Sequence, residues 1–299
     1  MTKEISFPAF IDNSAMSSFK RCKRHWYYSS LRKITPKGGN IHLHAGGAYA
    51  RGLEVARTCY FEKGMDEDDA IAQGLHAFLL FWGDAEIDHE TAKDLDRVFY
   101  AVIEYFCQYP LGQDVLVPME LPNGKRGIEF SFAVPFDQRH PLTGDPLIFT
   151  GRFDLLATYN GAAFGEDDKT ATQLGNQWMR NWDLDSQFTG YTYAAKVYGI
   201  PLAGFFVRGT SILKNGFGHA QALVYRPQWM LDEWQETTHF TIENMLWHFE
   251  RQFFPKTLDK HACNSYGGCP FARLCGSPDP EAWVPVYFEP NNWNPLHKE

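Results

Sequence analysis

The chain has 299 residues, 44% hydrophobic and 16% aromatic, enough for a sizeable core in one large domain or two small ones, so it reads as globular. A formal net charge of −8 weighs against nucleic-acid binding through a generally basic surface and leaves only local cation clusters for phosphate contact. The opening MTKEISFPAF lacks a basic region followed by an apolar run, and no window reaches the ~18 uninterrupted apolar residues of a membrane span; the expected location is the cytoplasm, that of a host if the chain is virus-encoded.

In chain order, the first distinctive stretch is KRCKRHWYYSSLRK, which gathers Lys20, Arg21, Lys23, Arg24, Arg32 and Lys33 around Trp26, Tyr27 and Tyr28. That mixture suits phosphates and stacking on bases, or a solvated helix face whose aromatics turn into the core. Apolar positions then recur at helical spacing over 44–62, 66–82 and 90–109, with the acidic run Asp66 to Asp69 favouring the second helix start. Strands are expected over 113–120, 127–136, 149–159 and 162–169, followed by a helix over 184–198 that Gly199 and Pro201 stop. A hairpin around Asn215-Gly216 leads to a long amphipathic helix, 227–253. The order predicts a single domain with a mixed sheet and helices packed against it: a helical part over 14–110, a core over 111–226 and a closing segment over 227–280.

The stretch FTGRFDLLATYNGAAFGEDDKT crowds acids around an Asn-Gly pair. A two-residue type I′ turn at Asn160-Gly161 pairs Tyr159 with Ala162; counting outward, Asp154 falls opposite Asp167 and Arg152 opposite Lys169, all on one face. Facing carboxylates repel. A divalent cation such as Mg²⁺ or Mn²⁺ relieves that cost; so would a bulge that shifts the register, a proton on one acid, or neutralisation by Arg152 and Lys169. Lys169, two residues after Asp167, completes an acid, acid and lysine set suited to orienting a water and stabilising charge on a phosphate.

These residues resemble the PD-(D/E)xK nucleases in their RecB-like form, in which a G-x-x-D strand precedes a strand ending D-x-K-T; Gly151, Asp154, Asp167, Lys169 and Thr170 match. A Q-x-x-x-Y motif on the next helix is matched by Gln187 and Tyr191, one turn apart. The resemblance implies a restriction-endonuclease-like core in which Asp154 and Asp167 hold Mg²⁺ or Mn²⁺, Lys169 positions the attacking water, and Gln187 and Tyr191 steady the lysine and the DNA strand. Lys20, Arg21, Lys23, Arg24 and Arg152 are the candidate phosphate contacts.

Six cysteines in a chain without a secretory signal suggest free thiols or metal ligands. Cys59 and Cys107 lie in apolar helical patterns and are expected in the core, whereas Cys22 and the late trio Cys263, Cys269 and Cys275 resemble the ligands of the iron-sulfur nucleases of the AddB and CRISPR-associated type, where one early and three late cysteines hold a [4Fe-4S] cluster. That resemblance runs from about Ser14 to Gly276 and implies an iron-sulfur staple joining the two ends of the chain; Zn²⁺ is the chemical alternative at a Cys₄ site. Both late gaps hold five residues, where the family more often has C-x-x-C first. The family's helical histidine falls at Ala50; His44 and Glu54 are candidate substitutes, and Glu129 is a further acid either near the site or on the strand surface. The expectation is a metal-dependent DNA exonuclease, acting on single strands or duplex ends and beside a helicase or recombinase, with a catalytically inactive DNA-binding scaffold as the alternative.

Overall fold

A computed structural model of the chain describes residues 5–85, 93–264 and 268–291. They fall into two units, one drawn from 1–39, 132–151 and 232–299, the other from 40–131 and 152–231. Among the described residues no helix is long and apolar enough to cross a membrane.

The first unit begins with β1 (Phe10–Ile11), α1 (Asn13–Arg21), the one-turn α2 (Lys23–Trp26), a π-helical turn at Tyr27–Leu31, and β2 (Ile34–Pro36). The Asp12 carboxylate caps α1 by accepting the Ala15 N–H, 2.7 Å. β1 runs parallel to the start of a later strand, Phe10 opposite Ile148, and β2 is antiparallel to Phe288–Pro290. Trp26 and Tyr28 are buried, and Trp26 meets Phe7 and Phe19 edge-on. Tyr27 stacks on Phe254, ring centres 4.8 Å apart. Trp26 and Tyr28 are therefore core, with Tyr27 half-buried beside them, and base stacking by Trp26 or Tyr28 is ruled out by burial. Its arginines are tethers: Arg21 donates twice to the Ala262 carbonyl, Arg24 Nε to Phe254 O, and Arg32 pairs with Glu281. Lys23 lies over the Phe19 ring, while Lys20 is exposed.

The second unit holds α3 (Ile41–Phe61), α4 (Glu67–Trp82) and α5 (Leu95–Gln108), the last capped by Asp94; residues 90–92 of the expected helix lie outside the described residues. Asp66 caps α4 as its acidic first turn implied. Gly74 is required where α3 and α4 touch, because a Cβ there would lie 2.5 Å from the Gly52 carbonyl oxygen. Six strands follow: β3 (Val117–Pro118), β4 (Ile128–Arg139), β5 (Pro146–Tyr159), β6 (Ala162–Ala171), β7 (Gly204–Leu213) and β8 (Gly216–Val224), with α6 (Asn176–Arg180) and α7 (Ser186–Val197) between β6 and β7. β4 and β5 lend residues to both units. β5 and β6 are antiparallel, β6 and β7 parallel, and β7 and β8 antiparallel, giving a mixed sheet. Helices flank it on both faces: Tyr49 of α3 bonds Thr210 of β7 on one, and Phe188 of α7 packs on Phe205 of β7 on the other.

Asn160 and Gly161, at φ 49° and 78°, make the expected turn, and Tyr159 faces Ala162. The second hairpin closes at Leu213 opposite Gly216, so its tip is Lys214-Asn215, one residue earlier than Asn215-Gly216 suggested. Of the predicted strand over 113–120 only Val117–Pro118 is extended, because Asp114 turns back to accept the Leu116 N–H and to pair with Arg208.

β6 is pinned from the helical face. Arg57 of α3, 4% exposed, donates to Asp168 Oδ2 at 2.8 Å, Glu166 Oε1 at 2.9 Å and Tyr105 Oη at 2.5 Å. Arg208 of β7 bonds both Asp114 oxygens, 2.6 and 2.7 Å, and lies 3.4 Å from Glu166 Oε1. Burial alone would push the Glu166 pKa up, and the two guanidinium groups oppose it. Removing one side of such a pair strands a buried charge, so Arg57→Met should lower the urea-unfolding free energy by about 3–5 kcal/mol. An unchanged urea midpoint would show that the pair contributes nothing.

Candidate active site

On β6 the even residues Glu166 and Asp168 face the arginines, and alternation turns Asp167 and Lys169 to the opposite face, beneath α7. Gly165 permits the packing below them, since a Cβ there would overlap the Phe205 ring at 2.2 Å. Asp185 caps α7 by accepting the Gln187 N–H at 2.7 Å, setting the phase that brings Gln187 and Tyr191 over the strand.

Asp167, 2% exposed, receives Lys169 Nζ on Oδ2 at 2.6 Å and Gln187 Nε2 on Oδ1 at 2.9 Å. The amide of Gln187 therefore braces the acid, where the resemblance had assigned it to the lysine. Tyr191 packs on Phe153, 4.9 Å between ring centres, and its hydroxyl accepts the Arg152 N–H at 3.3 Å. The ladder between β5 and β6 runs in the expected register as far as Leu155 opposite Glu166. Beyond that pair the Asp154 carboxylate accepts the Asp168 N–H at 2.8 Å, a side chain taking the place of a strand partner. Arg152 pairs through Nε with Glu129 at 2.5 Å.

The electrostatics are those of crowded acids. Burial, then Asp167 and Glu129, hold the Asp154 pKa well above the carboxylate range. Asp167 is also raised by burial, with Lys169 opposing. Burial works against the Lys169 charge, but Asp167 and Asp154 outweigh it and raise its pKa. Lys169 thus supplies part of the compensation that facing acids need. Among the described residues no group of three or more His, Cys, Asp or Glu is close enough to hold a metal ion. The donor set suits a hard divalent cation: burial and mutual repulsion raise the pKa of buried Asp167 and half-buried Asp154, and the charge of such an ion would oppose both effects. Ala50 stands half-buried on α3, His44 is spent on the Trp82 carbonyl at 3.1 Å, and Glu54 pairs with Arg51, so neither proposed substitute is directed at the acids by these bonds.

In the first unit Cys22, Cys263, Cys269 and Cys275 line one cavity of about 200 Å³, with Arg21, His25 and Phe271 among its other walls. Burial would raise the Cys22 thiol, but the Thr257 hydroxyl and the N–H groups of His25, Thr257 and Arg24 overcome it and lower its pKa. Burial raises Cys269 and Cys275. Cys59 is buried as expected; Cys107 is exposed, on the outer face of α5, and does not join the core.

Sequence reading missed Arg57, Arg208 and the clamp of Glu129 on Arg152. An arginine inside the apolar stripe Tyr49, Leu53 and Ala56 of α3 was the available signal for the first; nothing local marked Arg208.

A model of the PD-(D/E)XK nuclease superfamily matches residues 13–276, and the chain belongs to that superfamily. Comparison with curated proteins found no match. Among solved structures, a protein of Eubacterium rectale provisionally assigned as an exonuclease is 15% identical, with 86% of each chain covered and a TM-score of 0.46. SSO0001 is 11% identical, with 92% of this chain and 88% of the other covered and a TM-score of 0.38.

Acids whose folded pKa values are raised keep protons that the unfolded chain releases, so they cost stability as pH climbs from the ordinary carboxylate value of ~4 toward the raised values. In chelator, Asp154→Asn should raise Tm at pH 8, by about 2–4 °C per kcal/mol of relieved repulsion, and flatten the fall in Tm between pH 5 and 8. A variant less stable at both pH values would contradict this.

Proposed function

We propose that the protein is a metal-dependent deoxyribonuclease that hydrolyses phosphodiester bonds. The observation that carries this is the constellation of buried Asp167, braced by Gln187, with half-buried Asp154 and Lys169, in a chain of the PD-(D/E)XK superfamily. Asp154 and Asp167 would hold Mg²⁺ or Mn²⁺, which when bound supplies positive charge for the phosphate and its nucleophile. Lys169 keeps its proton, because both acids favour the ammonium; it serves as a hydrogen-bond donor that orients water and stabilises charge growing on a phosphate oxygen. Gln187 fixes Asp167, and Tyr191 fixes the backbone of Arg152 at the head of the Asp154 strand segment.

Exonucleolytic action on single strands or duplex ends is favoured over site-specific cutting, because the motifs resemble those of recombination and repair nucleases and no separate sequence-reading module occurs among the described residues. A helicase or recombinase is the kind of partner such an enzyme serves. Ala50 favours one other reading, a nuclease-fold scaffold that binds DNA without cutting it. End-labelled DNA incubated with Mn²⁺, Mg²⁺ or chelator separates the two. Metal-dependent shortening, reduced at least 100-fold by Lys169→Ala, is expected for the enzyme; binding without cleavage under every condition would establish the scaffold.

The four cysteines are read as ligands of one polynuclear iron-sulfur cluster. What supports this is that all four line one cavity of about 200 Å³ and that one early and three late cysteines resemble the ligands of the iron-sulfur nucleases; Zn²⁺ is the chemical alternative at a Cys₄ site. Anaerobically purified protein should contain iron and acid-labile sulfide in equal amounts, and Cys22→Ala should lose both. Stoichiometric zinc without iron would overturn the assignment.

A further inference from the structure

Glu129 lies where a regular strand is interrupted. Its φ of 51° is in the left-handed region, uncommon for a residue with a Cβ. Ile128 and Phe130 should share a face, yet Ile128 joins Leu116, Leu155 and Phe206, while Phe130 packs on Phe153 and Tyr198 at the end of α7. The break therefore marks a bulge, a device that re-aims side chains beside active sites. Here it buries the Glu129 side chain to 6% exposure and delivers it to Arg152 Nε, while the Arg152 side chain remains 41% exposed.

Arg152 differs from the other arginines of the second unit that meet β6. Arg57 and Arg208 are sunk among carboxylates, whereas Arg152 meets the Glu129 carboxylate through Nε and keeps its side chain 41% exposed. Its backbone is held by Tyr191, and Asp154 lies two residues on. A guanidinium oriented at one edge is pre-organised for phosphate, because less side-chain freedom is lost on binding.

We propose that Arg152 binds a backbone phosphate of the nucleic-acid strand next to the bond being cut, and that Glu129 is the positioning residue that holds its guanidinium. This rests on the nuclease reading above. It also offers a means for a chain of net charge −8 to engage a polyanion: a cation held by Glu129, in addition to Lys169, in place of a basic surface.

The test is fluorescence anisotropy of a labelled single-stranded DNA oligonucleotide with the full chain in chelator, over a range of salt. Arg152→Ala should weaken binding about 10-fold and flatten the slope of log affinity against log salt by about 0.7, the share of one phosphate contact on a single strand. Glu129→Gln should weaken binding several-fold with the slope kept, and the double variant should bind no more weakly than Arg152→Ala alone. Arg152→Lys should keep the slope and lose affinity, since a point charge is not held by the clamp. Wild-type binding with Arg152→Ala unchanged in affinity and slope would overturn the proposal and leave the nuclease reading standing. Glu129→Gln equal to wild type would overturn the positioning role. Wild type that binds no oligonucleotide would defeat the nuclease reading and this inference with it.

Discussion

Two arginines behind one strand hold the charge balance on which the candidate site rests. β6 carries Glu166, Asp167, Asp168 and Lys169 in succession, which no buried strand tolerates without partners on both faces. Arg57 and Arg208 answer the acids that point toward α3 and α5, and this leaves Asp167 and Lys169 to the other face. A register slip of one residue would turn Asp167 toward the arginines and Asp168 toward α7, so the ion pairs specify the phase of the strand as well as its stability. The Asp168 peptide couples the layers, since its side chain is bound from behind while its N–H holds Asp154 in front.

The forward face is balanced less completely. Lys169 covers Asp167, and Arg152 covers Glu129, while burial and its acidic neighbours push the Asp154 carboxyl toward its neutral form. A local conflict of this kind, set into well-satisfied surroundings, is typical of functional sites, where the unfavourable charge is resolved by what binds. Gln187 and Tyr191 each make one hydrogen bond on this face, one to Asp167 and one from the Arg152 backbone.

In the first unit, the basic aromatic stretch serves the cysteine cavity. Arg21 and Arg24 spend their guanidinium groups on the carbonyls of Ala262 and Phe254, and the Thr257 hydroxyl donates to the Arg21 carbonyl. These bonds tie the segment carrying Cys22 to the segments carrying the late cysteines, which are more than two hundred residues away in sequence. The arginines near the start of the chain are thus accounted for by tethering, and Trp26 and Tyr28 between them are packed inside.

Local sequence determined much of this protein. The helix caps at Asp66, Asp94 and Asp185, the Asn160-Gly161 turn, and the spacing of Asp154, Asp167, Lys169, Gln187 and Tyr191 all act within a few residues, where geometry follows from side-chain chemistry and strand or helix period. Tertiary structure alone decided which of the crowded acids are answered by Arg57 and Arg208, that Arg152 pairs with Glu129, and that Trp26 and Tyr28 face inward. Those outcomes depend on which groups share a low-dielectric space after distant segments meet, and the cost of leaving a buried charge unpaired is set there.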